Sequence, residues 1–286
     1  VENHRNVALV GHGATGKTTL ADLILHKTGI ASRAGSVDDG SSLLDIDDDE
    51  KERKSSLSSA AVHCEHQGKR ITLIDAPGYP DFIGQAIGAL RAVETAVIVI
   101  NAHAGIEVNT RRMFGLAGNA GVGRMILINK CDTDNVDYSQ LIDDIQEMFG
   151  ATCVPLNVPV GISESFSGVV STLSAAESVP DGAQADPADF NATLMDAIVE
   201  ADEALMERFL EGEELSADEV SAGVSKAIAA GTLIPILCSS SRNDVGVSEF
   251  MDALATFALS PTEVSRTAKN AAGEEVTLEP EAGGPA

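Results

Sequence analysis

The stretch Gly11-His12-Gly13-Ala14-Thr15-Gly16-Lys17-Thr18 is a glycine-rich loop of the form GxxxxGK[ST], and it decides the fold. It follows the apolar run 7–10 and precedes the helix-like run 19–25, which predicts the order strand, loop, helix. In such a loop the backbone N–H groups surround phosphates, the lysine reaches the β and γ oxygens, and the last hydroxyl can bind Mg²⁺. The sequence therefore predicts a phosphate-binding loop that extends to Thr19.

A second motif, Asn129-Lys130-Cys131-Asp132, follows an apolar strand predicted at 124–128. Continuous apolar strands are typical of parallel sheets, which bind ligands at their carboxyl edge. The carboxylate of Asp132 can accept the N1–H and 2-amino hydrogens of guanine, whereas adenine offers neither. We expect Asn129 to tie this loop to the phosphate loop and the stem of Lys130 to lie along the base. Alone, the tetrapeptide also suits a helix cap, but together the two motifs predict binding of GTP or GDP.

A third motif, Asp75-Ala76-Pro77-Gly78, closes a strand predicted at 70–74. Asp75 is expected in the Mg²⁺ shell. Gly78 is expected to approach the γ-phosphate through its N–H, because it has no side chain to block the approach. The alternative for this motif alone is an ordinary Pro-Gly turn.

Another apolar strand, predicted at 233–237, runs into a serine-rich loop. Ser239, Ser240 and Ser241 are candidates for the wall of the base site, and the first two for contact with the guanine O6. Serines after a strand are also typical of a plain loop, so this alternative stays open.

The net charge of −25 is unevenly distributed. Residues 151–286 carry 5 Lys+Arg against 23 Asp+Glu, which disfavours binding to DNA by bulk attraction. A basic protein surface is the expected partner, and a solubility or high-salt adaptation is the alternative. The hydrophobic content of 44% without a long apolar run predicts a soluble protein with no membrane contact, and we expect a monomer. Residues 1–6 lack a signal region, which favours the cytoplasm.

Strands alternate with helical stretches through residue 150, which predicts an α/β fold with a mostly parallel sheet flanked by helices. Residues 154–231 interrupt this alternation and are predicted to form an inserted acidic α+β subdomain with two helices. One helix carries its apolar positions at Leu194, Ile198, Leu205, Phe209 and Leu210, and the other spans roughly 217–229. Residues 1–153 and 232–260 would form the GTP-binding (G) domain, a P-loop NTPase fold. Residues 261–286 show no periodic pattern and are expected to be a linker toward a missing second domain.

The order of these motifs, with Tyr79-Pro80-Asp81-Phe82 after the third and an acidic insertion before Pro235-Ile236-Leu237-Cys238, resembles translation elongation factor G over residues 5–260. The resemblance implies a GTPase that acts on the ribosome in translocation or recycling. It also implies an inserted subdomain that contacts the ribosomal stalk protein. The basic patch Lys51, Arg53 and Lys54 lies in the expected switch region, where it would face ribosomal RNA; a solvated turn is the alternative.

Several positions depart from the pattern of that family, and they cluster at the chemistry. Tyr79 stands where a histidine positions the attacking water, and Ala14 and Gly13 replace an aspartate and the apolar residue before it. Ser55 replaces an apolar residue that shields the water. Ser56 keeps a hydroxyl for Mg²⁺ beside Thr18 and Asp75. The resemblance thus implies catalysis by Lys17, Gly78 and Tyr79 with weak turnover. A regulatory GTP-binding module or a ribosome-protection factor of related architecture remains an alternative.

Overall fold

The computed structural model of the chain describes residues 1–173, 179–213, 215–278 and 280. Its strands are β1 (His4–Gly11), β2 (Ala60–His66), β3 (Lys69–Asp75), β4 (Thr95–Asn101), β5 (Gly123–Asn129), β6 (Cys153–Pro155), β7 (Asn157–Val160), β8 (Gly168–Ser171), β9 (Ile234–Cys238), β10 (Arg266–Lys269) and β11 (Glu275–Leu278). Its helices are α1 (Lys17–Lys27), α2 (Asp48–Arg53), α3 (Ile83–Arg91), α4 (Val108–Ala120), α5 (Tyr138–Phe149), α6 (Pro187–Glu200), α7 (Glu203–Leu210), α8 (Ala217–Ala230) and α9 (Val247–Phe257).

Seven strands form one central sheet in the order β2-β3-β1-β4-β5-β9-β6. All neighbouring pairs are parallel except β2 and β3, which are antiparallel. The predicted α/β fold with a mostly parallel sheet is therefore confirmed. The loops that follow β1, β3 and β5 carry the three predicted motifs, and parallel strands bring these loops to one edge of the sheet.

Helices cover both faces of the sheet, as the alternation in β1 illustrates. Val7 and Leu9 pack on the face covered by α1, α9 and the inserted helices α6 and α8. Ala8 and Val10 pack on the opposite face, against α3, α4 and α5. Both faces of β1 are buried because successive side chains of a strand point in opposite directions.

The inserted segment shares the core of the G domain more closely than the sequence indicates. The predicted boundary at 154 falls inside β6, which pairs with β9 at the edge of the central sheet. Leu194 and Ile198 of α6 and Val224 of α8 belong to the same hydrophobic cluster as Met125 and Leu127 of β5. The insertion keeps a hairpin of its own, β7 and β8, which is antiparallel.

Two expectations for the acidic half are corrected. The first predicted helix is two helices, α6 and α7, because Asp202 caps the second by accepting hydrogen bonds from the N–H groups of Ala204 and Leu205. Leu210 is consequently 78% exposed instead of packed. Within the predicted linker, β10 and β11 form an antiparallel hairpin.

Parts of two predicted segments lie outside the described residues, namely 174–178 and 214 in the insertion and 279 and 281–286 near the chain end. Among the residues that the structure describes, none forms a helix long and apolar enough to cross a membrane.

Candidate functional site

The glycine-rich loop joins β1 to α1 and adopts a backbone that few residues tolerate. Gly11 has φ +148°, and a Cβ there would lie 2.4 Å from the carbonyl oxygen of Val99. Gly16 has φ +91°, and Ala14 has φ 59°, a left-handed conformation that costs a non-glycine residue about 1 kcal/mol or more. These backbone angles curve the loop, so that its N–H groups can face a common point at the N-terminus of α1.

Lys17 is buried beneath this loop, where its Nζ donates to the carbonyl oxygen of His12 at 2.6 Å. Burial lowers the pKa of Lys17 to about 8, against the opposing influence of Asp75 and Glu107. A buried ammonium with so little compensation is stabilised by an anion placed next to it. Lys17 therefore fits the phosphate-contacting role predicted for it.

The three residues predicted to hold Mg²⁺ come together from separate segments. The Thr18 hydroxyl donates to Asp75 Oδ2 at 2.6 Å, and the Thr18 and Ser56 hydroxyl oxygens lie 3.1 Å apart. Burial raises the pKa of Asp75 to about 6, although Lys17 lowers it. None of the described residues forms a hydrogen bond with the buried Asp75 Oδ1. An unsatisfied carboxylate oxygen beside two hydroxyls fits a divalent cation.

Asp45 is a member of this cluster that the sequence analysis did not select. Its Oδ1 accepts a hydrogen bond from the Ser56 hydroxyl at 2.8 Å, and the residue is 2% exposed. Among the described residues, no group of three or more His, Cys, Asp and Glu side chains could hold a metal by itself. A cation here would depend on hydroxyl and phosphate oxygens as well as carboxylates.

Asn129 connects the second motif to the phosphate loop, as predicted. Its Nδ2 donates to the carbonyl oxygen of Thr15 at 2.9 Å, and the residue is fully buried. Its Oδ1 accepts from the hydroxyls of Ser239 and Ser241 and from the N–H of Ser241. Lys130 follows with φ 66°, so a second strained loop lies beside the first.

Asp132 presents its carboxylate at the end of this loop. Its Oδ1 is buried and finds no hydrogen-bond partner in the described part of the chain, while Oδ2 accepts a long hydrogen bond of 3.3 Å from Asn243. A carboxylate with one unsatisfied oxygen fits the paired N–H donors of a guanine edge.

Ser239 and Ser240 do not line the cavity, although they were predicted to contact guanine O6 there. Both are fully buried, and their N–H groups donate to the carbonyl oxygens of Ile128 and Val245. The Ser239 hydroxyl donates to Asn129, and the Ser240 hydroxyl oxygen accepts from the Asn243 N–H. These two serines support the loop, and only Ser241 of the three lines the cavity.

A cavity of about 580 Å³ joins the loops, a volume within the range of small-ligand sites. Its walls include Ala14, Gly16, Lys17, Thr18 and Thr19 at one end and Asn129, Lys130 and Asp132 at the other. The segment 34–38 and Arg242 also line the cavity, although no sequence motif predicts them there. These residues carry no motif, so only the spatial arrangement identifies them.

Gly78 and Tyr79 lie against the phosphate loop at the Lys17 end of the cavity. A Cβ at Gly78 would lie 2.5 Å from the His12 carbonyl oxygen and 2.6 Å from the Gly13 nitrogen, so only glycine fits there. A Cβ at Gly13 would lie 3.1 Å from Cζ of Tyr79, which shows that the tyrosine ring lies over Gly13. Tyr79 remains 43% exposed.

Comparison with known proteins agrees with this geometry. The family described as the elongation factor Tu GTP binding domain matches residues 2–260. A protein of Thermus thermophilus, known from its crystal structure, is 32% identical to this chain with a TM-score of 0.84. The match covers 91% of this chain and 41% of that one, so the chain spans less than half the length of that protein.

Proposed function

Because the chain belongs to the elongation factor Tu GTP-binding domain family, we propose that it is the G domain of an elongation factor G-like GTPase that acts on the ribosome in translocation or recycling. The observation that carries this proposal is the single cavity that joins Asp132 to Lys17 and Thr18. One end offers acceptors for a guanine edge, and the other offers a buried cation and hydroxyls for phosphates and Mg²⁺. The proposed site of action is the ribosome in the cytoplasm.

In this proposal the chain's own residues bind and orient the nucleotide. Asp132 accepts the N1–H and 2-amino hydrogens of guanine, and Lys17 neutralises the β and γ oxygens. Thr18, Ser56 and Asp75 would hold Mg²⁺, which supplies charge neutralisation when it is bound. The Gly78 N–H would contact the γ-phosphate, since the close packing of this glycine on the phosphate loop brings its backbone to that end of the cavity.

The proposed function also implies two partner surfaces on this chain. The acidic face of α6 to α8 would meet the basic surface of a ribosomal stalk protein, with Glu200, Glu203 and Glu211 exposed there. Ribosomal RNA would lie near the switch segments, where Arg53 and Lys54 are exposed. The charge of −25 supports solubility as a monomer and opposes non-specific binding of DNA.

A second candidate function, a regulatory GTP-binding module with little turnover, is favoured by one observation. The Tyr79 ring lies over Gly13 at the γ-phosphate end of the cavity. A phenol can orient water only through its single O–H, and it lacks the imidazole that the family resemblance places there. Intrinsic hydrolysis in this class of enzyme is slow, on the order of 10⁻⁴ s⁻¹, so the loss of a water-positioning group affects turnover more than affinity.

The first test is nucleotide binding followed by single-turnover hydrolysis of preloaded GTP, with and without ribosomes. We expect tight GTP and GDP binding, weak ATP binding, and a loss of about 100-fold or more in GTP affinity for Asp132→Ala. Asp134→Ala removes an exposed carboxylate from the same loop and serves as the matched control.

The outcomes of this test separate the two candidates. Strong stimulation of hydrolysis by ribosomes supports the translational GTPase, while tight GTP binding without stimulated turnover supports the regulatory module. Tight binding of ATP that survives Asp132→Ala would overturn both candidates.

A further inference from the structure

Asn109, in the first turn of α4, makes a buried contact with the loop that carries Gly78. Its Nδ2 donates to the carbonyl oxygen of Gly78 at 2.6 Å, and the residue is 1% exposed. Gly78 follows β3 and Asn109 follows β4, and β1 lies between these strands in the sheet. The hydrogen bond therefore joins the loop after β3 to the start of α4, and these two segments follow the strands on either side of β1.

The contact restrains a residue that lacks the backbone restraint imposed by a side chain. Gly78 packs so closely on His12 and Gly13 that a side chain is excluded. Without a Cβ, a glycine adopts a wide range of φ and ψ, so its peptide can rotate unless a neighbour holds it. The bond from Asn109 holds the carbonyl group of Gly78 and thereby its ψ angle.

The same turn of α4 also contacts the phosphate loop directly. Glu107 Oε1 lies 3.4 Å from His12 Nε2, two positions before Asn109. The carbonyl oxygen of His12 in turn accepts the hydrogen bond from Lys17 Nζ. Residues 107–109 are thus linked to both loops that border the γ-phosphate end of the cavity.

Packing alone does not account for an asparagine at this position. Its Oδ1 is buried without a hydrogen-bond partner among the described residues, which costs about 1–3 kcal/mol relative to a satisfied amide. An apolar side chain of similar volume would fill the space without that cost. The bond that Asn109 does make is the one to the carbonyl oxygen of Gly78, which points to a role in holding that residue in place.

We propose that Asn109 is a positioning residue that holds Gly78 in the orientation required to contact the γ-phosphate, and that it thereby raises the affinity for GTP relative to GDP. The inference rests on the proposed function, in which the Gly78 N–H binds the γ-phosphate. GDP has no γ-phosphate, so its affinity does not depend on this bond.

The test compares dissociation constants for GDP and for a non-hydrolysable GTP analogue. For Asn109→Ala we expect the constant for the GTP analogue to rise about tenfold, with that for GDP unchanged within about twofold. Asn109→Asp keeps the shape of the side chain, removes the donor, and is expected to show the same selective loss. Asn119→Ala, an exposed asparagine near the other end of α4, is the matched control and should match wild type.

Each result supports or overturns the proposal. An equal loss of both nucleotides in Asn109→Asp would assign Asn109 a purely structural role, and unchanged affinity for the GTP analogue would show that the bond is dispensable. Failure of the wild-type protein to bind guanine nucleotides would instead refute the proposed function. In that case amide hydrogen exchange of residues 76–82 in the nucleotide-free protein still tests the bond, because Asn109→Asp should accelerate it; unchanged exchange would overturn the proposal.

Discussion

At the scale of single residues, the burial of Asp75 lowers the free energy of unfolding of the nucleotide-free protein at neutral pH. Asp75 is 1% exposed, its Oδ1 has no hydrogen-bond partner within the described ranges, and burial raises its pKa from 3.8 to about 6. The folded protein therefore binds a proton at Asp75 more tightly than the unfolded chain does. The stability that this group contributes is present below pH 4 and is lost as pH rises through about 6.

The corresponding prediction concerns Asp75→Asn without nucleotide or Mg²⁺. Between pH 4 and pH 7 the free energy of unfolding of the variant should gain about 2–3 kcal/mol relative to wild type, because the amide carries no buried charge. Urea denaturation across this range measures the difference. A difference that stays constant with pH would contradict the assignment of a raised pKa to Asp75.

At the scale of elements, two helical glycines have opposite surroundings. A Cβ at Gly223 of α8 would lie 2.4 Å from Cγ2 of Ile198 on α6 and 3.3 Å from Cδ1 of Leu205 on α7. Gly115 of α4 is exposed, and a Cβ there would meet no atom within 4 Å. Gly223 is therefore required for close packing within the insertion, whereas Gly115 is not.

We expect Gly223→Ala to destabilise the protein by about 1–3 kcal/mol through overpacking. The matched change Gly115→Ala should stabilise it by about 0.5–1 kcal/mol, because alanine favours the helix over the unfolded chain. Thermal denaturation of both variants gives the comparison. If Gly223→Ala were stabilising as well, α6 and α8 would be packed less closely than the structure shows.

At the scale of the whole molecule, Arg266 connects the hairpin of β10 and β11 to the segment that precedes β4 of the central sheet. Its guanidinium donates to Glu94 Oε1 at 2.8 Å and to the carbonyl oxygens of Arg91 and Val93. The Glu94 side chain is 4% exposed and accepts its other hydrogen bond from Asn6 on β1. The contact lies at the amino end of the strands, opposite the nucleotide cavity.

Removal of this attachment should weaken the fold without affecting the cavity. We expect Arg266→Ala to lower the free energy of unfolding by about 1–3 kcal/mol, because it leaves Glu94 buried with one partner fewer. Nucleotide affinity should stay at the wild-type value. Arg112→Ala, which removes an exposed arginine from α4, is the control for loss of charge alone, and an equal effect of both variants would rule out a specific role for the ion pair.

Local sequence patterns were sufficient for much of the fold. Continuous apolar runs predicted β1, β5 and β9 to within a few residues, because the central positions of a strand buried on both faces are apolar. Composition was a poorer guide to the acidic segment 45–50. Asp45 and Glu50 are 2% exposed there, and the Ser56 hydroxyl and the Leu57 N–H donate hydrogen bonds to their carboxylates.

The sequence by itself determined the mostly parallel α/β fold and the three motif loops of the candidate nucleotide site, because those motifs are contiguous and their chemistry depends on residue type and spacing. Only the tertiary structure decided which side chains face the cavity. It directed Ser239 and Ser240 inward, placed Tyr79 over Gly13, and brought Asn109 to Gly78. These contacts join segments far apart in the chain, and their geometry depends on how the strands are ordered and how closely the loops pack.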